Sequence, residues 1–139
     1  MPDQIVVTMN SAFIQATAAQ ARNANSVLHL WKFGSLNPNV TTPLTDFTEA
    51  ECDFDGYAAL TIATWVVPFL AGQAWGTAAP RQYFRWEHVL DDVGNDVGGW
   101  YLVTAGGQLL DFGVFDPPQG AAGVGQVVPV EPTEIFVAG

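Results

Sequence analysis

Cysteine is nearly absent. Cys52 is the single cysteine among 139 residues, so no disulfide closes within the chain and no multi-cysteine metal site can form. Its thiol reads as a small buried hydrophobe. Basic residues are almost as scarce. Arg22, Lys32, Arg81 and Arg85 stand against 14 Asp plus Glu, for a net charge of −10. Nucleic-acid binding neutralises many phosphates with Lys and Arg, so this composition argues against DNA and RNA as partners. The same acidity argues against docking on an anionic membrane surface. No apolar run approaches the roughly 20 residues of a membrane helix. A basic stretch followed by an apolar core is also missing at the N-terminus, so no secretion signal is expected. These absences predict a soluble protein made and assembled in a cytoplasm.

Charge of either sign is scarce too. Only 13% of residues are charged, against 49% hydrophobic and 12% aromatic. Such a chain folds, because disordered acidic segments lack the apolar content to form a core. Soluble monomers usually carry about twice that charge and avoid large apolar patches. The deficit fits a surface buried against copies of itself or a partner. The competing reading is a weakly charged monomer with Thr, Gln, Asn and Gly outside; assembly is the preferred one.

Along the chain, Asn10 or Ser11 can cap a helix running to about Ala21, rich in alanine and carrying Phe13 and Ile14. It is the one helix expected to exceed a turn. Strand-like alternation follows at Val27–Phe33, Tyr57–Val67, Gln82–Glu87 and Trp100–Thr104. Ala105-Gly106-Gly107 is a tight hairpin turn into Gln108–Phe115, and Gln126–Val130 and Glu134–Val137 close as short strands. Gly34–Pro43, Asp91–Gly99 and Pro117–Gly125 read as loops, and Leu44–Glu51 as a polar connection. The expected fold is mainly β, an antiparallel sandwich or jelly roll with a short N-terminal helix or arm. Residues 1–24 form that arm and 25–139 the β-sandwich domain.

No catalytic arrangement emerges. Ser11, Ser26 and Ser35 lie in no Gly-x-Ser-x-Gly turn, and Cys52 with His88 makes a dyad only on paper, while His29 and His88 both read as packed or edge-strand side chains. Glu49, Glu51, Asp53 and Asp55 alternate in one acidic stretch, and Asp91, Asp92, Asn95 and Asp96 crowd another. Either could hold calcium, but neither has EF-hand spacing, and both read better as solvated turns. No metal or other cofactor is expected. Gly120–Gly125 lacks the lysine and helix of a phosphate loop. Asn39-Val40-Thr41 matches a glycosylation sequon, read here as chance. Trp31, Trp65, Trp75, Trp86 and Trp100 could stack on sugars, although such rings in small β proteins are mostly core or interface.

One ordered set of short motifs goes further. Leu28-His29-Leu30-Trp31-Lys32 leads through a Pro/Thr loop to Leu44-Thr45-Asp46-Phe47-Thr48-Glu49-Ala50 and then Phe54-Asp55-Gly56-Tyr57-Ala58. Gly99–Val103, Gly107–Leu110 and Val127–Val130 follow. From about Val27 to Val130 this resembles a family of small tailed-phage and prophage proteins. Two places depart from the family pattern, the inserted Glu51-Cys52-Asp53 and Trp100 where tyrosine-glycine is usual. The resemblance implies a virion-associated structural protein and not an enzyme. In that setting Gly56 makes a bend before a strand, and Tyr57 is a half-buried anchor with its hydroxyl bonded.

The leading expectation is a bacteriophage capsid decoration, or cement, protein on the outer head surface. It would stabilise capsomer junctions as a homotrimer, with the major capsid protein as partner. Phe13, Ile14, Trp75 and Trp86 are the candidate interface residues. The N-terminal segment is expected to dock on a neighbouring subunit, so that deleting it abolishes attachment and spares the β fold. The alternative is a tail, baseplate or head-fibre domain binding a host glycan, favoured if Trp75 and Trp86 flank a shallow groove. A small hydrolase is a distant third.

Overall fold

The computed structural model describes residues 11–54, 56–66, 68–71, 74–85, 96–119 and 127–137. The fold is mainly β, with antiparallel sheets and a short N-terminal helix. The elements are α1 (Ser11–Arg22), β1 (Ser26–Lys32), α2 (Leu44–Glu49), β2 (Leu60–Ile62), β3 (Phe69–Ala71) and β4 (Ala74–Ala78). After them come β5 (Gln82–Arg85), β6 (Val97–Val103), β7 (Leu109–Gln119), β8 (Val127–Val130) and β9 (Thr133–Val137). They pair as a four-stranded sheet β2-β1-β6-β7, a three-stranded sheet β3-β4-β9 and a two-stranded sheet β5-β8.

The four-stranded sheet is covered on both faces. On one, Leu28 and Leu30 of β1 pack with Leu102 of β6, and Phe84, Val128 and Val130 of the β5-β8 sheet join that core. On the other, Trp31 and Tyr101 pack against Phe47 and Ala50. Alternation in β1 thus serves two cores rather than one core and solvent. Helix α1 buries Ala12, Ala16 and Ala19, spaced for one helical face, and seats it on β4 and β9. Small side chains let the helix axis approach the sheet closely.

Four expectations need correction. Leu44–Glu49 is not a plain connection but a second helix, α2, beginning after Pro43. Its pattern is polar except for Leu44 and Phe47, and full burial of the Phe47 ring, with Leu44 packed against the same cluster, holds so short a helix together. The strand expected from Tyr57 to Val67 is only Leu60–Ile62. Beyond it the chain leaves β1: the Ala63 carbonyl accepts from Asn25 N–H at 3.2 Å, and Val66 N–H donates to the Ala78 carbonyl at 2.8 Å. Val97–Gly99 belong to β6, not to a loop, because Gly98 and Gly99 leave room for the Trp31 ring to lie on the backbone. Strand β7 also runs on through Pro117 and Pro118 to Gln119, where a loop was expected. The remaining loop residues of both segments, 91–95 and 120–125, lie outside the described ones.

Candidate functional site

Of the four predicted interface residues, Phe13 and Trp75 meet where α1 lies on the β3-β4-β9 sheet, and Ile14 stands beside Phe13 on the exposed side of the helix. The rings of Phe13 and Trp75 pack edge to face, with centroids 4.8 Å apart. Trp75 pairs across the sheet with Leu70, which is 60% exposed. Cross-strand partners share a face, so Leu70 extends the same apolar surface. Ile14 is 48% exposed one residue along the helix. Phe13, Ile14, Thr17, Ala18 and Ala21 line an open cleft of about 480 Å³. Trp86 lies outside the described residues. Because Phe13 sits against Trp75, that indole is half-buried and is not the bare stacking platform a sugar site needs.

A second grouping is polar. Glu51 forms a bridge beside Trp31 of β1, and its Oε2 meets His29 Nδ1 at 2.6 Å and the Tyr57 hydroxyl at 2.6 Å. The Tyr57 oxygen also accepts from Leu30 N–H at 3.1 Å, and the His29 ring stacks on Tyr101 at 4.5 Å. Burial opposes ionisation of Glu51, but hydrogen bonds from His29 and Tyr57 and the His29 charge outweigh it, so the carboxyl is lowered. Burial and the neighbouring carboxylate push both tyrosine hydroxyls above their ordinary range. They therefore remain donors. Cys52 next door is buried, its thiol pushed up to about 12, which denies it the thiolate a nucleophile requires. The network ties the post-α2 segment to β1. His88, the other half of the imagined dyad, lies outside the described residues.

The described members of the first acidic stretch are drawn into pairs with other side chains. Asp53 pairs with Lys32 Nζ at 2.9 Å, and Glu51 is committed to His29 and Tyr57. Asp55, Asp91, Asp92 and Asn95 lie outside the described residues. Among the described residues no group of three or more His, Cys, Asp or Glu is placed to hold a metal ion. No described helix is long and apolar enough to cross a membrane.

Sequence reasoning missed a third cluster entirely. Glu134 of β9 accepts from Arg22 Nη2 at 2.8 Å and from Asn23 Nδ2 at 2.8 Å. Asp111 of β7 faces the same Glu134 across a shared cleft, and burial together with that neighbouring carboxylate raises its carboxyl. Arg22, Asp111, Thr133, Glu134 and Phe136 line an open cleft of about 400 Å³. Arg22 and Glu134 stand 112 positions apart, so no local spacing could have announced their pairing.

The molecule is thus a mainly β protein with an apolar helix-and-sheet surface and two polar clasps. Compared with known proteins, the chain matches no family model, no curated protein and no solved structure.

Proposed function

We propose that this chain is a non-catalytic structural subunit of a tailed-phage particle. It decorates the outer head surface and cements capsomer junctions. The observation that carries the reading is the continuous apolar surface from Ile14 through Phe13 and Trp75 to Leu70, with Ile14 and Leu70 open to solvent. Large apolar groups held out on a charge-poor scaffold suit burial against another protein. The motif order shared with small phage proteins supports the same reading. So does the net charge of −10, which is repelled by packaged DNA and keeps decorated particles apart in solution.

On this reading the partner is the major capsid protein, and local three-fold symmetry of a shell favours a homotrimer. The jelly-roll wiring belongs to the proposal as well. The order β2-β1-β6-β7 sets an early strand beside late ones, as Greek-key connections do.

The deciding experiment counts this chain in purified particles by mass spectrometry against the shell protein. A ratio near one per shell subunit is expected. A few to a few tens of copies would move the chain to a tail or fibre and revive glycan binding. Absence from particles would overturn the reading.

A further inference from the structure

We propose that Asp111 and Glu134 form a proton-locked clasp fastening the end of α1 and strand β9 to strand β7. The clasp joins a helix end to two strands that belong to different sheets. Glu134 stands opposite Thr77 in the β3-β4-β9 sheet, whereas Asp111 stands opposite Leu102 in the four-stranded sheet. Leu102 faces the main core, so Asp111 is aimed into the space between the sheets. There it shares a cleft with Glu134, whose two oxygens already hold Arg22 and Asn23 of the helix end.

Two ionised carboxylates in contact repel, and one proton between them turns that repulsion into a hydrogen bond. Arg22 is a single cation serving two carboxyl groups, and its side chain is half exposed. Among the described residues the other neighbours bring no charge: β6 supplies Leu102, and the loop before α2 supplies Asn39, Val40 and Thr42. Asp111, Glu134 and Arg22 therefore set the balance. Asp111 also lines both the 400 Å³ cleft and a second of about 290 Å³, so water can deliver and remove the proton.

Burial, then the hydrogen bond to and charge of Glu134, raise the Asp111 carboxyl from 3.8 to about 7, with Arg22 offsetting part of the rise. A raised folded-state value means the folded chain holds a proton that the unfolded chain has lost. The stabilisation is complete below pH 3.8 and disappears as pH climbs through about 7. Above that, the end of α1 is less firmly held. Only the biological use of this loosening rests on the attachment reading, since α1 carries the proposed contact face. The clasp itself does not.

The test uses the whole chain. Carboxyl carbons are titrated by NMR, and melting is followed from about pH 5.5 to about pH 8.5 for wild type and Asp111→Asn. One carboxyl is expected to titrate near 7 and to vanish in the variant. Wild-type melting should fall by roughly 3–6 °C across that range while the variant stays level. If every carboxyl titrates below about pH 5, or if the variant keeps the wild-type fall, the clasp is overturned. Should Asp111→Asn fail to fold, the wild-type titration alone decides. Loss of particle attachment with this titration intact would count against the proposed function only.

Discussion

Tyr57 shows how one hydroxyl can organise a fold. It accepts from the Leu30 backbone and donates to Glu51, joining β1 to the segment after α2. Tyr57→Phe leaves the Leu30 N–H without that acceptor and should cost about 1–3 kcal/mol in urea unfolding. Glu51 adds a pH signature of opposite sign to that of Asp111. Its folded value is lowered, so its stabilisation is present above pH 4.5 and is lost as pH falls through the folded value. The stability gap between wild type and Glu51→Gln should therefore close as the solution is acidified. A gap that persists in acid would show that the carboxylate charge is not what holds the segment. Much of this was legible in advance. Gly56 does turn, with φ of 88°, and the Tyr57 hydroxyl is bonded. The partner Glu51 was not legible as such, because alternation with Glu49 and Asp53 reads as a solvated acidic turn. Tertiary pairing with His29 decided otherwise.

At the scale of elements, patterning located long segments well and short ones poorly. Helix α1 and strand β1 stand where alanine content and alternation put them. Helix α2 escaped because one buried ring, not a repeating apolar face, sustains it. The residues after Ile62 alternate like a strand, yet their backbone partners lie at Asn25 and Ala78 rather than along β1. Helix α1 also turns out to be seated on its own chain, so removing residues 1–24 would disturb fold and attachment together. Point changes on opposite faces separate the two. Ala16 is fully buried against the sheet, and Ala16→Leu should overpack it by about 1–3 kcal/mol. Ile14→Asp, on the exposed face, should change stability by no more than about 0.5 kcal/mol while abolishing attachment to particles. Thermal melting and a particle co-sedimentation assay check the pair. If Ile14→Asp binds like wild type, the α1 face is not the contact.

For the whole molecule, charge and apolar surface make opposite demands on assembly. A net charge of −10 repels other copies at long range, whereas Ile14, Phe13, Trp75 and Leu70 attract at contact. Salt acts on the first and not the second, because screening at about 1 M leaves a Debye length near 3 Å. An attachment carried by the apolar surface should therefore survive washing of particles in about 1 M sodium chloride, and binding should tighten rather than weaken as salt rises from low values. An attachment carried by acidic side chains on a basic shell would behave in reverse, with the chain released into the wash. Co-sedimentation across a salt series, read by gel densitometry, distinguishes the two. Retention in wild type combined with loss in Ile14→Asp at every salt concentration is the expected pattern. Release of wild type at high salt would transfer the contact from the helix-and-sheet surface to acidic side chains.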